Sequence, residues 1–106
     1  MIRHTVLFSW KPEATDEQKR QGATELAKLA SLIPSLRSFA SGPDAGLAHG
    51  NFHFAISADF DDQAGFFAYR DDRRHRDAIQ RYILPITAQR VAVQFEFNPQ
   101  AAGAST

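Results

Sequence analysis

A chain of 106 residues is one domain by length, and its 12 lysines and arginines are matched by 12 aspartates and glutamates, so it lacks the cationic surplus of nucleic-acid and membrane-surface proteins. Cysteine is absent, which excludes disulfides, thiolate-bound metal and a thiol nucleophile. No signal-like apolar run follows Met1 and no stretch approaches the ~20 apolar residues of a membrane span, so a cytoplasmic location is expected.

Residues 2–10 alternate, with Ile2, His4, Val6, Phe8 and Trp10 on one face and Arg3, Thr5, Leu7 and Ser9 on the other. Period two with β-branched and aromatic residues predicts a strand, which Lys11-Pro12 ends. From Thr15 to Ile33 the period changes: Ala23, Leu26, Ala27, Leu29, Ala30 and Ile33 form a helical stripe behind a Thr15 or Asp16 cap. Pro34 closes that helix. Leu36 to Ser41 is a second, weaker strand, followed by the turn cluster Gly42-Pro43-Asp44-Ala45-Gly46.

Phe52, Phe54, Ile56, Ala58 and Phe60 alternate with His53, Ala55, Ser57 and Asp59 as the strongest strand. Asp61-Asp62 then caps a short helix with Ala64, Phe66, Phe67 and Tyr69. The mixed-charge run 70–77 leads into a helical stretch with Ile79, Tyr82, Ile83 and Ile86, kinked or shortened by Pro85. Val91, Val93, Phe95 and Phe97 alternate with Ala92, Gln94, Glu96 and Asn98 as the last strand. Residues 98–106 are small and polar and are expected to be a disordered tail, leaving 1–97 as the domain.

The order β-α-β-β-α-β predicts an α+β, ferredoxin-like fold, a four-stranded antiparallel sheet with helices on one face. Leu7, Ala55 and Ala92 place apolar residues on the second face of their strands. Covering that face with a second copy of the chain makes a homodimer through the sheet.

Several residue groups resemble the stress-responsive α/β-barrel (Dabb) family. They are Ile2-Arg3-His4-Thr5-Val6-Leu7-Phe8 with Trp10 and Pro12, then Ile33-Pro34, Gly50-Asn51-Phe52, Asp59-Phe60, Tyr69 with His75, and Tyr82 with Pro85. The resemblance runs from about Ile2 to Phe97. It implies a dimeric α/β-barrel of the stress-response type with a cavity between sheet and helices. The family also includes cofactor-free polyketide cyclases whose catalytic tyrosine and histidine map onto Tyr69 and His75. Here Asp72-Arg73 stands where the family usually has a histidine-proline step.

Two functions are therefore expected. One is binding of a small apolar or aromatic molecule in the cavity. The other is a cyclase or lyase that needs no cofactor, with His75 as general base and Tyr69 as donor to an enolate oxygen. Alternatively, His75 only anchors the surrounding Asp-Arg cluster. Phe8, Phe54, Phe66, Tyr82 and Ile86 belong to an aromatic-rich set that either packs as core or walls a pocket. His4, on the same face as Val6 and Phe8, joins them as a ligand candidate. His53 is expected to be structural and His49 solvated. The histidines lack metal-ligand spacing, so no metal is expected. The Arg73-Arg74-His75-Arg76 run is flanked by Asp71, Asp72 and Asp77 and reads as a solvated, self-paired face.

Overall fold

Every second residue of β1 (Ile2–Trp10) turns inward, so Ile2, His4, Val6, Phe8 and Trp10 are buried while Leu7 stays exposed. The computed structural model describes residues 1–99; most of the expected tail, from residue 100 onward, lies outside them. Helix α1 (Asp16–Leu32) starts at a reciprocal cap. Gln18 N donates to Thr15 Oγ1 at 3.1 Å, and Thr15 N donates to Gln18 Oε1 at 2.9 Å, which satisfies two helix-end donors. Strands β2 (Leu36–Pro43) and β3 (Phe54–Phe60) follow.

Helix α2 (Gln63–Asp71) is capped by Asp62, whose Oδ1 accepts from Gly65 N at 2.9 Å. Helix α3 (Arg73–Ala78) runs into a π turn (Ile79–Ile83) and a 3-10 turn (Leu84–Ile86) containing Pro85. Proline supplies no N–H, and the irregular turns absorb that loss. Strand β4 (Thr87–Glu96) completes the sheet.

All strand pairs are antiparallel and the sheet order is β2-β3-β1-β4. The helices cover one face only. Leu26 and Leu29 of α1, Tyr69 of α2, Ala78 of α3 and Ile83 pack with Val6, Phe8, Ile56 and Phe60 in one core. Gly22 lets α1 approach the π turn, since a Cβ there would lie 3.0 Å from Ile83 Cδ1.

The faces of β4 are the reverse of the expected ones. Leu7 pairs with Val91, Thr5 with Val93 and Arg3 with Phe95, and residues directly opposite in a ladder share a face. Val91, Val93 and Phe95 therefore stand on the open face, 44%, 54% and 43% exposed. Ala92, expected on that second face, lies opposite Val6 on the helix side, between Arg90 and Gln94. Apolar alternation alone assigns the larger side chains to the core; here the register sends them outward.

The open face also carries a charged network across three strands. Arg3 donates to both carboxylate oxygens of Asp59 at 2.8 and 3.0 Å, and Ser38 Oγ donates to Asp59 Oδ2 at 2.7 Å. The Arg3 hydrogen bond, ahead of burial, sets the direction in which the Asp59 pKa moves, which is down. Among the described residues, no helix is long and apolar enough to cross a membrane.

Candidate functional site

Between β1 and β4 on one side and α2 and α3 on the other lies a cavity of about 440 Å³. Its sheet wall is His4, Val6 and Phe8 of β1, Ile56 of β3, and Arg90 and Gln94 of β4. Phe66, Phe67, Tyr69 and Arg70 of α2, with His75 of α3, form the helical wall. Ile79 and Leu84 close the end at the irregular turns.

Tyr69 and His75 meet there, with ring centroids 4.2 Å apart. Asp72 creates this approach. It ends α2 and starts α3 with φ −62° and ψ 132°, and its Oδ1 accepts from Arg74 N at 2.8 Å. An extended residue between two helices re-aims the second one, and an N-capping aspartate achieves this break without proline. Both Asp72 oxygens are engaged by the Arg74 side chain, so the carboxylate is held by Arg74. The Arg74 hydrogen bond takes its pKa down to about 2.

His75 is half-buried, and its Nδ1 donates to the Arg70 carbonyl at 3.2 Å. A carbonyl accepts only from an N–H, so the neutral ring keeps its lone pair on Nε2. Burial lowers the His75 pKa from 6.5, opposed by the bond to Arg70. The ring is therefore a neutral base at physiological pH. Tyr69 is almost wholly buried, and burial pushes its pKa up to about 12. Among the described residues its hydroxyl has no hydrogen-bond partner.

His4 is buried against Phe66, ring centroids 5.0 Å apart, and stands 6.2 Å from the Tyr69 ring. Gln94 Nε2 donates to His4 Nδ1 at 2.8 Å, which leaves the hydrogen on Nε2. Burial first, then the charges of Arg90 and His75, lower the His4 pKa to about 4. The cavity thus carries two neutral imidazoles and a protonated phenol.

Of the residues singled out in the sequence, His4, Phe8, Phe66, Tyr69 and His75 come together on this cavity. Phe54, Tyr82 and Ile86 do not. Phe54 packs with its ring tilted against Trp10 and Phe8, at 5.6 and 6.5 Å between centroids, and closes the core beyond the cavity. Ile86 is buried, and its carbonyl accepts from Lys11 N at 2.8 Å. Tyr82 lies on the flank toward α1, beside Glu25, Leu29 and Arg81. A spacing of three along a regular α-helix would keep Ile79 and Tyr82 together. The π turn, closed by Leu84 N to Ile79 O, changes that phase.

Arg90 and Gln94 escape the apolar alternation of β4, which points to Val91 and Val93 as the helix-side residues; pairing His4 with Gln94 and Phe8 with Arg90 across the sheet is the signal that finds them. His53 is structural. Its Nδ1 accepts from Trp10 N at 2.8 Å, and its backbone continues the pairing with Phe8. The basic run is largely self-paired, Arg70 with Asp71, Arg74 with Asp72 and Arg73 with Asp77. Among the described residues no group of three histidine, aspartate or glutamate side chains is placed to hold a metal ion.

A one-sided ferredoxin-like sheet with a histidine- and tyrosine-lined cavity beneath its helices defines the class. Residues 2–97 match the stress responsive A/B barrel domain (Dabb) family model, and the chain belongs to that family. A dimeric ferredoxin-like protein of unknown function from Thermobifida fusca is 48% identical, with a TM-score of 0.84 over 91% of this chain and 90% of that one. A dimeric protein of unknown function with the same fold from Bacteroides fragilis is 21% identical, with a TM-score of 0.74 over 91% and 95% of the two chains. The hydroxynitrile lyase of Passiflora edulis is 19% identical, with a TM-score of 0.81 over 92% and 94%. Among curated proteins, no match to the chain was found.

Proposed function

We propose that this chain is a homodimeric small-molecule protein whose cavity performs acid–base chemistry on a bound carbonyl compound without a cofactor. The observation that carries this is the meeting of the unpartnered Tyr69 hydroxyl and the neutral His75 imidazole in one cavity. His75 Nε2 takes a proton from carbon next to the carbonyl, or from the hydroxyl of a carbonyl adduct, and Tyr69 donates a hydrogen bond to the oxygen that gains charge. In the first course the enolate carbon adds to a second carbonyl of the same molecule, whose oxygen takes the proton back from His75, closing a ring as in a cyclase. In the second the alkoxide becomes a carbonyl and expels a carbanion such as cyanide, which takes that proton, as in a lyase. The Passiflora edulis enzyme, a lyase by name, supports this at the level of a shared fold.

Dimerisation through the open sheet face is supported by the exposed Leu7, Val91, Val93 and Phe95 and by the dimeric relatives. A second reading, a binding protein of the stress-response type with no reaction, is favoured by the apolar walls Val6, Phe8, Ile56 and Phe66.

The test is a panel of aryl cyanohydrins and linear polyketones, with release of aldehyde or formation of a phenol followed by absorbance. Turnover by the wild type should fall roughly 100-fold or more in His75→Ala and fall also in Tyr69→Phe, with ligand binding retained. Binding without turnover in the wild type decides for the second reading.

A further inference from the structure

We propose that the cavity takes a small aromatic or apolar molecule bearing a carboxylate, and that Arg90 is the residue that binds that carboxylate. This deepens the reading of the cavity as a ligand site and rests on it. Two arginines line the cavity, and they differ in what surrounds them. Arg70 donates to both oxygens of Asp71 at 2.9 and 3.0 Å and lies over the Phe67 ring, so its charge is matched. Among the described residues, the Arg90 side chain has neither an ion pair nor a hydrogen bond.

No aspartate or glutamate lines the cavity. On the same face of β4 the nearest carboxylate is Glu96, six residues away or roughly 20 Å along a strand. The remaining polar groups, His4, Tyr69, His75 and Gln94, are neutral at physiological pH. The lining therefore holds one uncompensated positive charge at the edge of apolar walls.

That charge reaches the other functional groups. Arg90 disfavours the protonated form of both His4 and His75 and favours ionisation of Tyr69. A ligand anion beside Arg90 thus lies within electrostatic reach of all three. The guanidinium fork matches a planar carboxylate through two parallel N–H···O bonds, which a neutral amide cannot accept equally well. With the carboxylate at β4, the apolar body rests on Phe8 and Phe66, beside Tyr69 and His75.

The experiment titrates phenylacetate and its neutral isostere phenylacetamide into the ¹⁵N-labelled protein at neutral pH and follows the amides of His4, Tyr69, His75 and Gln94. Phenylacetate is expected to bind about tenfold tighter than phenylacetamide. R90Q should erase that preference by weakening phenylacetate binding far more than phenylacetamide binding, and R90K should keep part of it. Arg90 is exposed on an edge strand, and an unchanged amide spectrum outside the cavity verifies that each variant is folded.

Equal binding of the two probes overturns the carboxylate proposal and leaves the cavity reading standing. A phenylacetate preference that survives R90Q overturns the role of Arg90. If neither probe moves the cavity amides, both the proposal and the cavity reading fail.

Discussion

Strands β1 and β4 are hydrogen-bonded neighbours in continuous register from Ile2 opposite Glu96 to Phe8 opposite Arg90, yet they are built on opposite plans. Strand β1 buries its large apolar side chains under the helices. Strand β4 turns its own outward and gives the helix side Arg90, Ala92 and Gln94; every one of its residues from Ala88 to Glu96 is exposed. The central strand thus supplies the core, and the edge strand supplies an apolar outer surface and a polar cavity wall. A long edge strand with an exposed apolar face invites association, so the proposed interface and the proposed ligand site would share one element.

Truncation separates the two plans most sharply. Phe60, fully buried where β3 pairs with the start of β1, should lose about 3–5 kcal/mol of stability on Phe60→Ala, read by denaturant unfolding. Val93→Ala on β4 should leave the unfolding of a single chain almost unchanged and act on self-association instead. An equal loss at both sites would break the contrast.

The acid limb of stability tests the buried side of β1. The folded His4 pKa of about 4 lies below the ordinary 6.5, so between those values the unfolded chain binds the proton and the folded one does not. Stability is complete above about 6.5 and falls as pH drops toward 4, by roughly 3 kcal/mol for His4 alone. His75 shifts in the same direction and adds to the slope. His4→Gln should flatten most of it, as measured by unfolding across that pH window.

On the open face, Asp59→Asn removes the partner of Arg3 and weakens the acceptor of Ser38, at a cost of about 1–3 kcal/mol. The solvated pair Arg73–Asp77, 3.8 Å apart, contributes little, and Arg73→Ala should change stability by less than about 0.5 kcal/mol.

The element order was legible because β1, α1 and β3 each keep one period throughout, with caps and prolines at their ends. The faces of β4 were not. Val91, Val93 and Phe95 resemble a core stripe, and only pairing with Leu7, Thr5 and Arg3 reveals that they face out. Tyr69 and His75 are six residues apart across a helix break, and periodicity does not join them; the family resemblance did. The polar wall followed the fate of β4, since Arg90 and Gln94 look like solvent-facing residues until the register sets them over Phe8 and His4. Tyr82 was misplaced for a different reason, the π turn that shifts the phase of its helix.

The most direct test of the contrast between the two strands is sedimentation of the wild type and of Val93→Lys at micromolar concentration. The wild type should sediment at twice the chain mass, and Val93→Lys at the mass of one chain with unchanged far-UV dichroism. A monomeric wild type, or a variant that remains fully dimeric, would contradict the assignment of the outer face of β4 to the interface.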